Sequence, residues 1–203
     1  TKMSGGSGVL PDGLLKPKQV YAAGIIFLII GASIGAYFVA TDGIIIGIIL
    51  AFAVVSIYFY STKLVNWGLA EVFVTIKGSM IVIGTYFVQT QQIIESVVLC
   101  GIVIGVLSSL VLFITSFPDH DADKAKGRNT LVISLGKQRA CSVLWVFPII
   151  VYGISIAAVV FEIFPISCLI ILTTIPLIVK SGRKLKQNYE SLTDIIPAMS
   201  LTL

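Results

Sequence analysis

Long apolar runs alternate with short polar connections along this 203-residue chain. A helix needs about 20 mostly apolar residues to cross a hydrocarbon core about 30 Å thick. Six runs approach or reach that length, at residues 17–40, 43–60, 69–89, 93–117, 140–161 and 164–179. A shorter apolar run at 193–203 predicts the first half of a seventh span. The pattern therefore predicts an all-α fold, a polytopic bundle of transmembrane helices with six full spans and part of a seventh.

The composition indicates the same class of protein. Hydrophobic residues make up 57% of the chain and charged residues only 12%, which is unlike the composition of soluble domains. We see no low-complexity linker and no internal repeat, so we expect a single membrane-embedded domain over residues 1–203. The chain starts in a polar segment and stops inside an apolar run, and we expect both ends to be cut from a longer protein.

Positive charge falls on alternate connections between the apolar runs. The formal net charge is +4, and all 14 Lys and Arg residues except Lys77 lie in four polar places. These places are residues 2–18, 63, 124–139 and 180–186. The other connections carry Asp42, Gln89–Gln92 and Glu162 with no Lys or Arg. This distribution is typical of basic cytoplasmic loops, so we assign the four basic places to the cytoplasmic side and exclude nucleic acid as a partner.

The longest polar interruption is FPDHDADKAKGRNTLVISLG, at residues 117–136. Three Asp, one His and three basic residues fall within the ten residues 119–128. We expect a polar loop here, because Pro118 removes a backbone donor and ends or kinks the preceding helix. The segment therefore concentrates charge at one edge of the predicted bundle.

The spacing of the acids suggests a metal site but does not require one. If the segment were helical, Asp119 and Asp123 would share one face, and Asp121 would point to roughly the opposite side. Two carboxylates followed by basic residues such as Lys124 and Arg128 can bind a hard divalent cation and the phosphate that it carries. A solvated segment would hold the same acids at a cost of only about 0.2–0.5 kcal/mol. On spacing alone both interpretations stay open.

Two stretches resemble a known family. FPDHDADKAKGRNTL, followed by Leu-Gly, is similar to the second Asp-rich motif of the UbiA superfamily of intramembrane prenyltransferases, DxxxD and then Gly, a basic residue and Thr. GLAEVFVTIKGSMIVIGTYFVQT, at residues 68–90, resembles the corresponding region of the menaquinone-type branch. Two separated matches in the right order are more specific than DxxxD alone.

The resemblance implies a fold of nine transmembrane helices, of which this chain would hold the third to the eighth and part of the ninth. The first two helices and a first Asp-rich motif, NDxxDxxxD, would then lie upstream. It implies transfer of a polyprenyl group from an isoprenyl diphosphate, such as geranylgeranyl diphosphate, to an aromatic acceptor. The menaquinone-type match implies 1,4-dihydroxy-2-naphthoate as that acceptor. Related branches use other acceptors, including geranylgeranylglyceryl phosphate.

The resemblance also implies roles for the acids and for the basic residue that follows them. Asp119 and Asp123 would coordinate a Mg2+ cofactor that grips the diphosphate of the donor. Arg128 matches the basic residue after the motif's Gly and would bind phosphate oxygens, although it could equally cap a helix or meet lipid headgroups. Lys124 adds a further cation for the same phosphate.

A second group of site residues precedes the third apolar run. Tyr60, Ser61 and Lys63 stand where the family has a Tyr-Ser or Tyr-Pro stretch followed by basic residues. Lys63 would contact the diphosphate and Tyr60 would line the site. The alternative for both Lys63 and Tyr60 is an anchoring position at the membrane interface.

Two ionisable residues fall inside the third run. Glu71 lies in the predicted first turn, where the helix dipole favours a carboxylate, and it could also orient or deprotonate a phenolic acceptor. Lys77 lies about 9 Å deeper by helical rise. An ammonium there costs at least about 2.5–3.5 kcal/mol against lipid, so we expect Lys77 to face a cavity or a partner such as a carboxylate.

A secondary transporter is the alternative from a different functional class. Transporters place ionisable residues near mid-bilayer, on broken helices within inverted repeats. In this chain the acidic cluster lies in a predicted loop at the membrane face, only Lys77 is deep, and we find no repeat. These features favour an integral membrane enzyme over a transporter, with its site toward the cytoplasm. The partners that the resemblance implies for it are a polyprenyl diphosphate and an aromatic acceptor, together with the lipid bilayer.

Overall fold

The computed structural model describes residues 9–10, 12–59 and 65–189. Its α-helices are α1 (Pro17–Asp42), α2 (Ile44–Phe59), α3 (Ala70–Thr90), α4 (Glu95–Ala125), α5 (Leu131–Leu135), α6 (Lys137–Val143), α7 (Val146–Val160) and α8 (Ile175–Asn188). Short 3-10 helices at Val65–Trp67 and Ile166–Thr174 precede α3 and α8. All elements in the described ranges are helical, so the predicted all-α fold is confirmed.

Among the described residues, five helical segments are long and apolar enough to cross a membrane. They are Pro17–Asp42, Ala70–Thr90, Glu95–Ala125, Lys137–Val160 and Ile166–Gln187. The shorter apolar helix Ile44–Ile57 accounts for the remaining predicted span. Their outer surfaces carry large apolar side chains, such as Phe27 and Ile44, which are 73% and 76% exposed. The predicted polytopic membrane bundle is thus confirmed, while the predicted half-span at 193–203 lies outside the described residues.

The chain divides into two compact units, residues 1–57 and 58–203. In the first unit, Gly43 has φ +89° and connects α1 to α2 in a conformation that other residues rarely adopt. An added Cβ on Gly35 would lie 2.6 Å from Cδ1 of Leu50. The glycine therefore leaves room for the Leu50 side chain of α2 against α1.

In the second unit, α3 and α4 are joined by a short turn and pack against each other through small residues. An added Cβ on Gly78 would lie 2.8 Å from Cα of Gly105, and one on Gly105 would run into the carbonyl oxygen of Thr75. The hydroxyl of Ser109 on α4 donates to the backbone carbonyl of Glu71 on α3. Close backbone contact between small residues is the usual way in which membrane helices associate.

A buried apolar cluster holds the end of α4 against α5, α6 and α8. It consists of Leu110, Phe113, Ile114, Phe117, Val132, Ala140, Cys141, Leu144 and Leu185. The rings of Phe113 and Phe117 meet edge to face with centroids 5.6 Å apart. Because α5 and α6 fold back onto this cluster, they lie beside the end of α4, which carries the Asp-rich segment.

The expectation of a loop after Phe117 is wrong, because α4 continues through Pro118 to Ala125. A proline inside a helix costs about 3 kcal/mol or more. Full burial of a Phe side chain is worth about 1.5–3 kcal/mol, and both Phe113 and Phe117 are completely buried beside Pro118. Packing of the cluster thus offsets the missing backbone bond, and the Asp-rich segment is helical.

Two later spans also differ from the prediction. The fifth was expected as a single helix at 140–161, but the chain is already helical from Lys137 and breaks at Leu144–Trp145 between α6 and α7. The sixth begins as the 3-10 helix Ile166–Thr174, and α8 continues through the basic stretch to Asn188. Burial of Leu185 in the cluster explains why the polar end of α8 stays helical.

Candidate functional site

The last two turns of α4 carry two different faces. Successive residues of an α-helix are rotated by about 100°, so Asp123 lies about 40° from Asp119 around the axis. By the same rule, His120, Asp121 and Lys124 lie about 100°, 160° and 140° away from Asp119. We call Asp119 and Asp123 the acidic face, and His120, Asp121 and Lys124 the groove face. Because α4 is helical through Ala125, Asp121 lies roughly opposite the other two acids, as the spacing predicts.

An arginine lies beside the acidic face, held there by the turn that ends α4. Gly127 has φ +73°, the left-handed conformation typical of a helix C-terminus. The backbone N–H of Arg128 then donates to the carbonyl of Asp123 at 3.0 Å. Its side-chain Nη1 donates to Oδ1 of Asp123 at 3.2 Å. Arg128 is therefore held beside the acidic face, with its side chain 52% exposed and that of Asp123 only 17% exposed.

The acidic face suits Mg2+ as a partial set of ligands. Residues four apart on a helix have Cβ atoms about 5–6 Å apart, close enough for two carboxylates to approach one ion. Within the described ranges, groups of three or more His, Cys, Asp or Glu that could hold a metal do not occur. Mg2+ commonly takes one or two carboxylates and completes its octahedron with water and substrate phosphates. Asp119 and Asp123 fit that arrangement.

The groove face has a different character. It borders a cavity of about 580 Å³ that also reaches Lys137 and Arg139 of α6 and Tyr189 after α8. Asp121 accepts from Nζ of Lys137 at 3.3 Å through Oδ2, and its Oδ1 lies 2.7 Å from Nδ1 of His120. The only acid on this face is therefore surrounded by basic groups.

The structure separates Lys124 from the acids with which it was grouped. Lys124 lines the groove and lies about 140° from Asp119 around the helix. Arg128, in contrast, is paired with Asp123. The basic residues predicted to share one phosphate therefore stand on different faces.

Glu71 is buried at the start of α3, only 6% exposed. Its Oε2 atom has no hydrogen-bond partner in the described part of the protein, and its backbone carbonyl accepts from Ser109. A buried carboxyl oxygen without a partner is costly, so this group is a reasonable place for a ligand to bind. Lys77, farther along α3, is exposed.

The start of α3 lies against the turn that follows the Asp-rich segment. An added Cβ on Gly68 would lie 3.6 Å from the hydroxyl oxygen of Ser134, and that hydroxyl donates to Oδ1 of Asn129 at 2.8 Å. The two stretches that carried the family resemblance thus meet in space. The predicted site residues Tyr60, Ser61 and Lys63 lie outside the described residues and stay predictions.

In the sequence, Lys137 and Arg139 stand out only as charges that indicate sidedness. Gly136 is the sequence feature that could have indicated a turn before them, because it has φ +76° and joins α5 to α6. That turn carries α6 back across the end of α4, and Lys137 reaches Asp121 from sixteen residues away. Their contribution to a cavity follows from the tertiary fold and not from local spacing.

Comparison with known proteins agrees with this architecture. The family model of the UbiA prenyltransferase family matches residues 7–196. The 1,4-dihydroxy-2-naphthoate octaprenyltransferase of Escherichia coli is 28% identical over 125 residues, covering 57% of this chain and 38% of the relative. The enzyme of the same description from Haemophilus influenzae is 39% identical over 70 residues, covering 34% of this chain and 23% of the relative.

The chain thus spans 38% and 23% of the lengths of these two relatives. No solved structure matches it with significance. The resemblance seen in the Asp-rich segment and in residues 68–90 is confirmed, including its menaquinone-type branch. With a family match over almost all of its length, a helical membrane fold and the acidic face at the end of α4, the chain belongs to the UbiA prenyltransferase family.

Proposed function

We propose that this protein transfers a polyprenyl group from a polyprenyl diphosphate to an aromatic acceptor within the membrane. Family membership and two relatives described as 1,4-dihydroxy-2-naphthoate octaprenyltransferases support the reaction class. The observation that carries the proposal is the acidic face, two carboxylates on consecutive turns with Arg128 beside them. We infer 1,4-dihydroxy-2-naphthoate as the acceptor from the same relatives.

The donor diphosphate is proposed to bind at the acidic face. Asp119 and Asp123 would hold Mg2+, which when bound places positive charge next to the diphosphate oxygens. Arg128 is half exposed and pairs with Asp123 through a single nitrogen. Its guanidinium can turn to phosphate oxygens and bind them in the bidentate geometry that arginine favours. Tyr60, Ser61 and Lys63 are proposed to complete this site.

The proposed chemical step separates negative charge on the leaving diphosphate from positive charge on the allylic carbon. The bond between the allylic carbon and the diphosphate oxygen breaks, and its electron pair leaves with the diphosphate. With the diphosphate bound at the acidic face, Arg128 would lie beside the oxygens on which negative charge increases. Fixed cationic donors stabilise such charge more strongly where water is excluded. The remaining allylic cation is attacked by a carbon of the electron-rich ring, which then loses a proton.

Glu71 is proposed to act on the acceptor. Its buried Oε2 has no partner among the described residues, so a phenolic hydroxyl of the acceptor could donate to it. That bond would orient the ring and increase its electron density as the proton shifts toward the carboxylate. The Ser109 hydroxyl bound to the Glu71 backbone fixes this turn of α3 against α4.

We infer from the distribution of Lys and Arg that the donor site faces the cytoplasm. The long apolar helices provide a surface for the isoprenoid tail, which is too apolar to leave the bilayer. Labelled geranylgeranyl diphosphate, Mg2+ and a panel of acceptors, supplied to the intact protein in vesicles, test the proposal. Prenylated naphthoate supports it. Product only with geranylgeranylglyceryl phosphate would change the acceptor, and no product with any acceptor would contradict it.

A further inference from the structure

The groove beside the acidic face has the chemistry of an anion site. Its volume of about 580 Å³ falls within the range of about 300–1,000 Å³ found for small-molecule sites. Its charged lining consists of Lys124, Lys137 and Arg139, with a single carboxylate, Asp121. Three Lys and Arg side chains against one carboxylate give the groove a net positive formal charge, without counting His120.

The one acid does not satisfy these cations. Asp121 is bound by His120 through one oxygen and by Lys137 through the other. The Asp121 side chain is 80% exposed whereas that of Lys137 is only 19% exposed, so Lys137 lies in the wall of the groove and Asp121 at its edge. Within the described part of the chain, Lys124 and Arg139 form no ion pair. Two cations therefore face the cavity without an acidic partner among the described residues.

The position of the groove relative to the bilayer indicates a ligand. With 31 residues, α4 is about 46 Å long by helical rise, well beyond a hydrocarbon core of about 30 Å. Apart from Glu95, the charged residues of α4 lie from Asp119 onward, so we place the excess length at this end, past the hydrocarbon. The candidate span Lys137–Val160 begins beside these turns, since Lys137 contacts Asp121. We therefore infer that Lys137 and Arg139 lie at the depth of the lipid headgroups. Basic pockets between membrane helices at this level bind phosphate headgroups.

We propose that this groove binds a phosphate group, separately from the donor site and independently of prenyl transfer. The planar guanidinium of Arg139 suits two phosphate oxygens, and the ammonium groups of Lys124 and Lys137 supply additional positive charge. The same chemistry is offered by the headgroup of an anionic phospholipid and by free phosphate or diphosphate.

The test measures binding to the purified, delipidated full chain in detergent. Dioctanoyl phosphatidylglycerol and inorganic diphosphate are titrated separately by calorimetry, in the presence of a chelator so that the acidic face holds no metal. The variant Lys137→Gln/Arg139→Gln removes two groove cations. Arg183→Gln removes an exposed cation of α8 outside the groove and is the matched control. Asp121→Asn removes the acid.

We expect the double variant to bind at least about tenfold more weakly, since two charge-assisted bonds are lost. Asp121→Asn should bind severalfold more tightly, because it removes a repelling charge and releases Lys137. Arg183→Gln should match the unmodified chain within about twofold. These opposite signs distinguish a charged groove from general loss of structure, and unfolding midpoints confirm that each variant is folded.

Saturable phosphatidylglycerol binding with this pattern identifies a lipid headgroup as the source, and diphosphate binding alone with this pattern identifies a free anion. Absence of binding by both probes overturns the proposal. So does equal weakening by Arg183→Gln and the double variant, or weaker binding by Asp121→Asn. If the double variant does not fold, the proposal is tested by the affinity of Asp121→Asn: tighter binding supports it and weaker binding overturns it.

Discussion

The acidic face and the groove face are formed by the same two turns of α4, yet they have opposite electrostatic character. On the acidic face two carboxylates stand together and one arginine approaches from the following turn. On the groove face one carboxylate is surrounded by His120 and Lys137, with Lys124 and Arg139 nearby. The first arrangement favours a divalent cation and the second an anion. Helical periodicity thus sorts the charged residues of α4 onto two faces, and α6 adds Lys137 and Arg139 beside one of them.

The largest effect is expected from Asp119→Asn/Asp123→Asn. Loss of both proposed metal ligands should lower prenyl transfer by about a thousandfold or more, since electrostatic stabilisation of the leaving diphosphate is lost. The matched control is Asp121→Asn, which removes one carboxylate from the other face of the same turns. Its transfer rate should stay within about twofold of the unmodified protein, because exposed pairs contribute little. Initial rates of prenyl transfer with labelled donor measure the effect of each variant. Similar losses in both variants would mean that the faces are not functionally distinct.

Phe117→Ala should disturb both faces together. Phe117 is completely buried in the cluster beneath the Asp-rich turns, and truncation of a buried Phe typically costs about 3–5 kcal/mol. Denaturant unfolding in mixed micelles should show this loss, with Phe27→Ala as control because Phe27 is 73% exposed on α1. An unchanged midpoint in Phe117→Ala would contradict the account of why the helix continues past Pro118.

Glu71→Gln tests whether this residue acts on the acceptor and not on the donor. The change keeps the shape of the side chain but removes a base, and we expect transfer to fall by about 10²-fold, the lower end of typical acid–base contributions. Donor binding should be unchanged because Glu71 is not assigned to the diphosphate. An equal loss of donor affinity would instead indicate a structural role for this buried residue.

Arg128→Gln and Lys124→Gln compare cations of the two faces. Arg128 lies beside Asp123, and its loss should weaken donor binding by about tenfold, as for one charge-assisted contact to phosphate. Lys124 lies on the groove face, and its loss should change donor binding by less than about threefold. Equilibrium binding of labelled geranylgeranyl diphosphate measures both constants. A larger loss of donor affinity in Lys124→Gln than in Arg128→Gln would mean that Lys124 acts with Asp119 and Asp123 at the donor site.

Much of this comparison was accessible from the sequence. The apolar runs predicted the spans, and the spacing of Asp119, Asp121 and Asp123 predicted which acids share a face. The continuation of α4 through Pro118 was not predictable locally, because it depends on packing of Phe113 and Phe117 against α5 and α6. Local propensity around a proline argues for a boundary, and tertiary burial overrides it.

The groove was missed for a related reason. Lys137 and Asp121 are separated by sixteen residues and meet only because the chain turns at Gly127 and again at Gly136. Both glycines were visible in the sequence, but the direction in which each turn sends the chain was not. Contacts set by α4, α5 and α6 together require the tertiary structure, whereas contacts within one helix follow from spacing.

The central claim is that Asp119 and Asp123 bind the donor diphosphate through Mg2+. Binding of labelled geranylgeranyl diphosphate to the intact protein, measured with Mg2+ and again after chelation, tests it most directly. We predict that the unmodified protein and Asp121→Asn bind the donor with Mg2+ and release it on chelation, while Asp119→Asn/Asp123→Asn binds little in either condition. Binding that survives both chelation and loss of these two carboxylates would contradict the claim.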